Sequence, residues 1–126
     1  MCIRDSIPVD PHGKVRGADG VYAAGDGTDF ELKHGGVASQ QADAAAEAIA
    51  ARAGAPVKPA PFRPVVRGVM LTGAKPLYLS TSYSGGHGFS SRITDRATWS
   101  PPTKISAKYL GPYLDRIDRS AGAASV

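Results

Sequence analysis

The stretch Gly20-Val21-Tyr22-Ala23-Ala24-Gly25-Asp26-Gly27 constrains this chain more than any other. Val21 to Ala24 predicts a short buried strand of small side chains, stopped by Gly25. Such a strand is stable only between parallel neighbours, and the residues before it do not provide them. Lys33-His34-Gly35-Gly36 then opens an alanine-rich helix, whose first N–H groups lack partners within the helix. Asp26 thus stands at the carboxyl end of a strand, where open α/β sheets bind ligands, close to a helix start suited to an electron-rich group. These features together predict the second part of a nucleotide-cofactor site.

The helix is expected from Val37 to about Arg52, because alanine has the highest intrinsic helix propensity. Two narrow faces compete for burial: Val37, Gln41, Ala45 and Ile49, or Ala42, Ala46 and Ile49. Gly54 supplies the carboxyl cap and Pro56 ends the element. Upstream, Ile7 to Asp10 is extended, Pro11-His12-Gly13-Lys14 is a turn, and Val15-Arg16-Gly17 returns as a second short strand. Met1 to Ser6 is unlike the rest. It resembles adapter-derived read-through and is expected to be a non-native tail, continuing into residues 7–55 as the first structural part.

Residues 55–64 hold four prolines and predict a stiff connector leading into a second part, 56–126. Val65 to Thr72 and Pro76 to Ser80 predict a β-hairpin across Gly73-Ala74-Lys75. Ser84 to Ser91 is expected to be a Gly/Ser-rich loop. A second helix is expected over Lys104 to Ile117, capped by Thr103 and kinked or divided at Pro112.

Charge divides at the same place. Residues 1–55 carry five Lys/Arg against eight Asp/Glu, and residues 56–126 carry ten against three. The basic half is either a solvated surface or a face for an anionic lipid or a phosphorylated ligand. Nucleic acid is not expected as a partner, because no aromatic pattern of a known nucleic-acid module interleaves the basic residues. The one cysteine, Cys2, excludes an internal disulfide framework and a Cys-x-x-Cys redox pair. With no secretory signal in view, a cytoplasmic location is expected. His12, His34 and His87 are too scattered for a metal site, and no nucleophile elbow surrounds Ser82 or Ser84.

Among residues that could carry chemistry, Asp26 is either a hydroxyl-binding carboxylate or the acceptor of an Asx-turn or helix cap. Residues 7–55 resemble the end of the flavin domain in the pyridine nucleotide-disulfide oxidoreductase superfamily. The resemblance rests on Gly20 to Asp26, the Lys33-His34-Gly35-Gly36 turn, and Gln40-Gln41-Ala42 with the alanine-rich helix. It implies the last strand and helix of an FAD-binding Rossmann-like domain, an α/β fragment. Asp26 and Gly25 would then meet the ribitol of FAD. His34 and the backbone of Gly35, Gly36 and Val37 would lie at the pyrimidine edge of the flavin.

Phe62-Arg63-Pro64 with the hairpin, and Trp99 to Ile105 followed by Tyr109-Leu110, are similar to the carboxyl-terminal segment of the NADH:quinone and sulfide:quinone oxidoreductase-like branch. The implied tail is a small α+β segment. The implied reaction moves hydride from NAD(P)H to FAD and electrons on to a quinone or another small acceptor.

The Gly-x-Gly-x-x-Gly phosphate loop and the NAD(P)-binding domain are missing from these residues, so the amino-terminal part of the same protein is an expected partner. The chain by itself is expected to be inactive. Tyr109, Leu110, Tyr113, Leu114 and Ile117 form an amphipathic stripe, either packed on the flavin domain or facing a quinone, a peripheral membrane contact or a second subunit. The alternative function is a non-enzymatic α+β interaction module with a basic partner-binding face.

Overall fold

The computed structural model describes residues 5–83, 89–103 and 105–123; Cys2, His87 and Lys104 lie outside them. The chain divides into two compact units, one ending at Pro64 and the other beginning at Val65. Among the described residues five elements follow in order: α1 (Gly35–Arg52), β1 (Val65–Met70), β2 (Leu77–Tyr83), β3 (Phe89–Thr94) and α2 (Leu110–Ala123). The strands form one antiparallel sheet in the order β1-β2-β3. The fold is therefore a small α/β arrangement with a three-stranded antiparallel sheet and two helices.

In the first unit, α1 is the organising element. Its buried residues are Val37, Gln41, Ala44, Ala45 and Glu47, a stripe at helical spacing. Of the two competing faces the one through Val37, Gln41 and Ala45 is chosen. Ala42 and Ala46 face solvent, and Ile49 is 48% exposed. At the carboxyl end Gly54 adopts φ +90°, its N–H bonds the Ala51 carbonyl at 3.0 Å, and the Ala55 N–H bonds the Ala50 carbonyl at 3.0 Å. This is a Schellman cap, in which glycine takes the left-handed position without a Cβ penalty.

The residues before α1 form a small irregular ladder in place of the expected strand at Val21 to Ala24. Single bridges join Val9 to Val15, Lys14 to Tyr22 and, in parallel, Ile7 to Thr28. Val21 is 49% exposed, so the expectation of a buried strand there is corrected. The physical reason is the missing parallel neighbours: among the described residues the run pairs only with Gly13 to Val15, through the Lys14–Tyr22 bridge and the bonds from Val15 N–H to the Val21 carbonyl and from Ala23 N–H to the Gly13 carbonyl, both at 2.9 Å, which leaves Val21 open to solvent. Among the described residues no parallel sheet is present.

α1 lies against this ladder where Gly13 and Ala45 meet. A Cβ on Gly13 would sit 3.1 Å from the Ala45 Cβ. The proline-rich stretch folds onto the first unit. The Phe62 N–H bonds the Pro11 carbonyl at 2.7 Å, the Phe62 and Phe30 rings meet edge to face at 5.1 Å, and the Ala60 N–H reaches the Glu47 carboxylate at 3.4 Å.

An ion-pair cluster closes the other end of α1. Both terminal guanidinium nitrogens of Arg52, Nη1 and Nη2, donate to Asp19 at 3.0 Å, and Lys14 Nζ lies 3.2 Å from the same carboxylate. The hydrogen bonds from Arg52 and Lys14 hold the Asp19 carboxyl well below the usual carboxylate range and raise Arg52. A depressed carboxyl pKa stabilises the fold above the unfolded value of about 4, and the contribution is lost as pH falls below it. Asp19 is fully exposed, which keeps the effect small. The expected outcome is that Asp19→Asn lowers the urea midpoint at pH 7, with the gap to the unsubstituted protein closing on acidification. A gap that stays constant with pH would assign the loss to something other than this cluster.

In the second unit, β1 and β2 form the expected hairpin, with Val65 opposite Ser82 and Met70 opposite Leu77. Two expectations are corrected. Phe89 to Ser91, the end of the expected loop, begin β3, which pairs with β2 from Tyr83 opposite Phe89 to Tyr78 opposite Thr94. The second helix starts six residues later than expected, at Leu110. Pro112 explains the shift, because proline is tolerated in a first turn, where its missing N–H would have no helical acceptor anyway. Thr103 caps nothing. Its N–H bonds the Pro101 carbonyl at 2.8 Å and its own carbonyl accepts from the Trp99 indole N–H.

Candidate functional site

The Gly25-Asp26-Gly27 turn is fixed from three directions. Gly25 adopts φ +96°, a conformation that side chains rarely permit. Its N–H donates to Gln41 Oε1 at 2.7 Å, and its carbonyl accepts the Thr28 N–H at 3.0 Å and the Thr28 hydroxyl at 2.8 Å. Gln41 completes the ring by donating Nε2 to the Thr28 hydroxyl at 3.3 Å. Thr28 is fully buried, and the Lys33 ammonium donates to its carbonyl.

This ring explains why a glutamine occupies the apolar stripe of α1. A buried amide is tolerated when its groups are paired, and here it clamps a turn to a helix. Gln41 was legible as the polar member of the Val37, Gln41, Ala45 face. Thr28 carried no sequence signal.

Asp26 projects from the clamped turn. It is exposed, and among the described residues no side chain pairs with its carboxylate. A Cβ on Gly25 would stand 3.7 Å from the Ala38 Cβ, so the turn packs against the first turns of α1. The structure therefore brings Gly25 and Asp26 beside the amino-terminal end of that helix.

The helix start is already partly capped. His34 has extended backbone, with φ −160° and ψ 136°, and its Nδ1 accepts the Gly36 N–H at 3.1 Å. The His34 carbonyl accepts the N–H groups of Val37 and Ala38, both at 2.9 Å. Among the described residues the Gly35 N–H alone of these first four has no partner, and nothing lies within 4 Å of where a Gly35 Cβ would be. The Val37 side chain is 1% exposed and belongs to the core. Of the six predicted residues, then, Asp26 and Gly35 present free groups. Gly25 shapes the turn, His34 caps the helix, and Gly36 and Val37 have their N–H groups bonded to His34.

Two clefts open on the first unit. One is lined by Asp10, Lys14, Arg16 and Asp19, the other by Asp29, Phe30, Gln41 and Phe62 among others. Of the six predicted residues none lines either of these clefts, and Asp26 and Gly35 are exposed. Among the described residues no group of His, Cys or carboxylate side chains is placed to hold a metal ion. Among them, too, no helix is long and apolar enough to cross a membrane. Comparison with protein-family models, with curated proteins and with solved structures returns no match.

Proposed function

We propose that this chain is the carboxyl-terminal part of an FAD-dependent NAD(P)H oxidoreductase, in which residues 7–55 close an FAD-binding Rossmann-like domain. The observation that carries the proposal is the clamp from Gln41 to Gly25, which holds an uncommitted carboxylate next to an accessible helix start. A carboxylate accepts hydrogen bonds from sugar or polyol hydroxyls, and charge-assisted bonds of this kind are the stronger ones. The helix start suits a flavin edge, where negative charge accumulates on reduction, and such charge is favoured there by about 0.3–1 kcal/mol.

The residues present fit FAD in part. Asp26 would hold the ribitol and the Gly35 N–H would face the pyrimidine edge. Gly36 and Val37 would act through the field of α1, since their N–H groups are bonded to His34. The flavin, when bound, supplies the hydride and electron chemistry, and the chain's part is positioning and electrostatics.

The second unit supports a larger assembly as well. Tyr109, Leu110, Tyr113 and Ile117 are all exposed, and Lys108 and Arg116 stand over the Tyr109 and Tyr113 rings at 5.2 and 5.5 Å. Contiguous exposed apolar surface marks a contact site. In the proposed protein it serves contact with the quinone acceptor at a membrane surface, in the cytoplasm.

The test is to produce the protein from its complete coding sequence and record its visible spectrum and its oxidation of NADH and NADPH. Flavin bands with nucleotide oxidation are expected. A colourless protein that gains no bands on reconstitution with FAD would sink the proposal.

A further inference from the structure

The polar face of the β1-β2-β3 sheet carries a feature independent of the flavin proposal. Register places Arg67 opposite Ser80, and Ser80 opposite Arg92. Directly paired residues share a sheet face, so the three form one row running across all three strands. The next rung on that face is Val65, Ser82 and Ser90, and the one on the other side is Val69, Tyr78 and Thr94. Two arginines thus flank a serine in one row, rooted two strand spacings apart, about 9–10 Å.

Three observations bear on the charge around this row. First, residues 65–94 include no Asp or Glu at all. Among the described residues neither Arg67 nor Arg92 has a carboxylate within ion-pair distance, while Arg52 and Arg119 both do. Second, Arg67 is half-buried, and its burial lowers its pKa, the mark of a cation desolvated without compensation. Third, Arg67 is held in place. Its guanidinium stands 5.1 Å from the centroid of the Trp99 ring, and that ring meets Tyr78 edge to face at 5.7 Å. Trp99 is itself anchored, its indole N–H donating to the Thr103 carbonyl.

Stacking on an aromatic face leaves the edge of a guanidinium, with its N–H donors, free for an oxyanion. A stacked arginine is also ordered before any ligand arrives, which lowers the entropic cost of binding. Burying an uncompensated cation is unfavourable, and a counter-charge relieves the cost.

The donor set points to the kind of anion. Every side-chain group in the row donates: two planar forks and a hydroxyl. One carboxylate offers two oxygens and is satisfied by a single fork. A phosphate or diphosphate offers more oxygens, spread in three dimensions, and engages donors on both sides of Ser80. We propose that the row Arg67, Ser80 and Arg92 is a binding site for the phosphate groups of an anionic ligand, free in solution or carried on a lipid headgroup. Ser82 and Ser90, in the neighbouring rung, extend the polar surface for the remainder of that ligand.

The test titrates the 126-residue chain with inorganic diphosphate by calorimetry at low ionic strength. In parallel, the chain is sedimented with vesicles of phosphatidylcholine alone and of phosphatidylcholine containing phosphatidic acid. The expected result is a dissociation constant of about 1 mM or tighter in one arm. Arg92→Gln is expected to weaken binding about tenfold or more, and Arg67→Gln to do the same. Lys75→Gln, in the turn between β1 and β2, changes a surface charge outside the row and should leave binding within about twofold after screening is matched. Arg92 is exposed and tests the site even where Arg67→Gln weakens the fold by losing the Trp99 stack.

Diphosphate binding that depends on both arginines assigns a soluble ligand. Binding only to phosphatidic acid vesicles, with the same dependence, assigns a headgroup. Failure in both arms overturns the proposal. So does binding that survives both arginine substitutions, or that Lys75→Gln weakens as much as they do.

Discussion

Gly13→Val is expected to unfold the first unit. Gly13 adopts φ +75°, and a Cβ there would lie 3.1 Å from both the Ala23 carbonyl oxygen and the Ala45 Cβ. The left-handed conformation costs a residue with a side chain about 1–2 kcal/mol, and a β-branched one more. Overpacking adds about 1–3 kcal/mol, since one neighbour is backbone and the other is fixed on α1. A small unit is stable by only about 0.05–0.15 kcal/mol per residue, so the two costs together approach its whole stability.

Gly17 provides the control. It has φ +83° with nothing within 4 Å of a Cβ, so Gly17→Val should show the backbone cost alone. The comparison is read as helical ellipticity at 25 °C and as urea midpoints. Equal losses in the two variants would mean that the contact between Gly13 and Ala45 contributes nothing.

Legibility in the sequence followed how local each determinant is. α1 was readable nearly to its ends, because alanine content, Gly54 and Pro56 are all local signals; the structure adds only Gly35 and Gly36. The hairpin was readable from two β-branched or aromatic runs around a glycine turn. β3 was not, since Phe89 to Thr94 has three polar residues among its first four and gains its place only by pairing with β2. Val21 to Ala24 misled for the complementary reason. Its composition suits a parallel strand, but strand formation depends on neighbours rather than on composition.

At the site, the position of Asp26 after Gly25 was legible. The capping of α1 by His34 was not, because histidine is not among the preferred amino-terminal caps. The buried ring through Gln41 and Thr28 joins residues 13 apart in the chain and depends on the packing of α1 against the turn. No local pattern reports such a bond.

The final expected result separates contact with a ligand from support of the fold. In the protein made from the complete coding sequence, Asp26→Ala should weaken FAD retention by about 10–100-fold, the effect of losing a charge-assisted hydrogen bond worth about 1.5–3 kcal/mol. The structure makes this substitution unusually clean. Asp26 is exposed and pairs with no side chain among the described residues, so its removal should leave the urea midpoint unchanged. Gln41→Leu should behave differently. It leaves the half-buried Gly25 N–H without its acceptor, at a cost of about 1 kcal/mol or more, and frees the turn that carries Asp26. That variant should lose stability and FAD together, whereas Asp26→Ala should lose FAD alone. Full flavin content with wild-type affinity in Asp26→Ala, measured by fluorescence quenching, would remove the carboxylate from the site and leave Gly25 and Asp26 as a turn that serves only the fold.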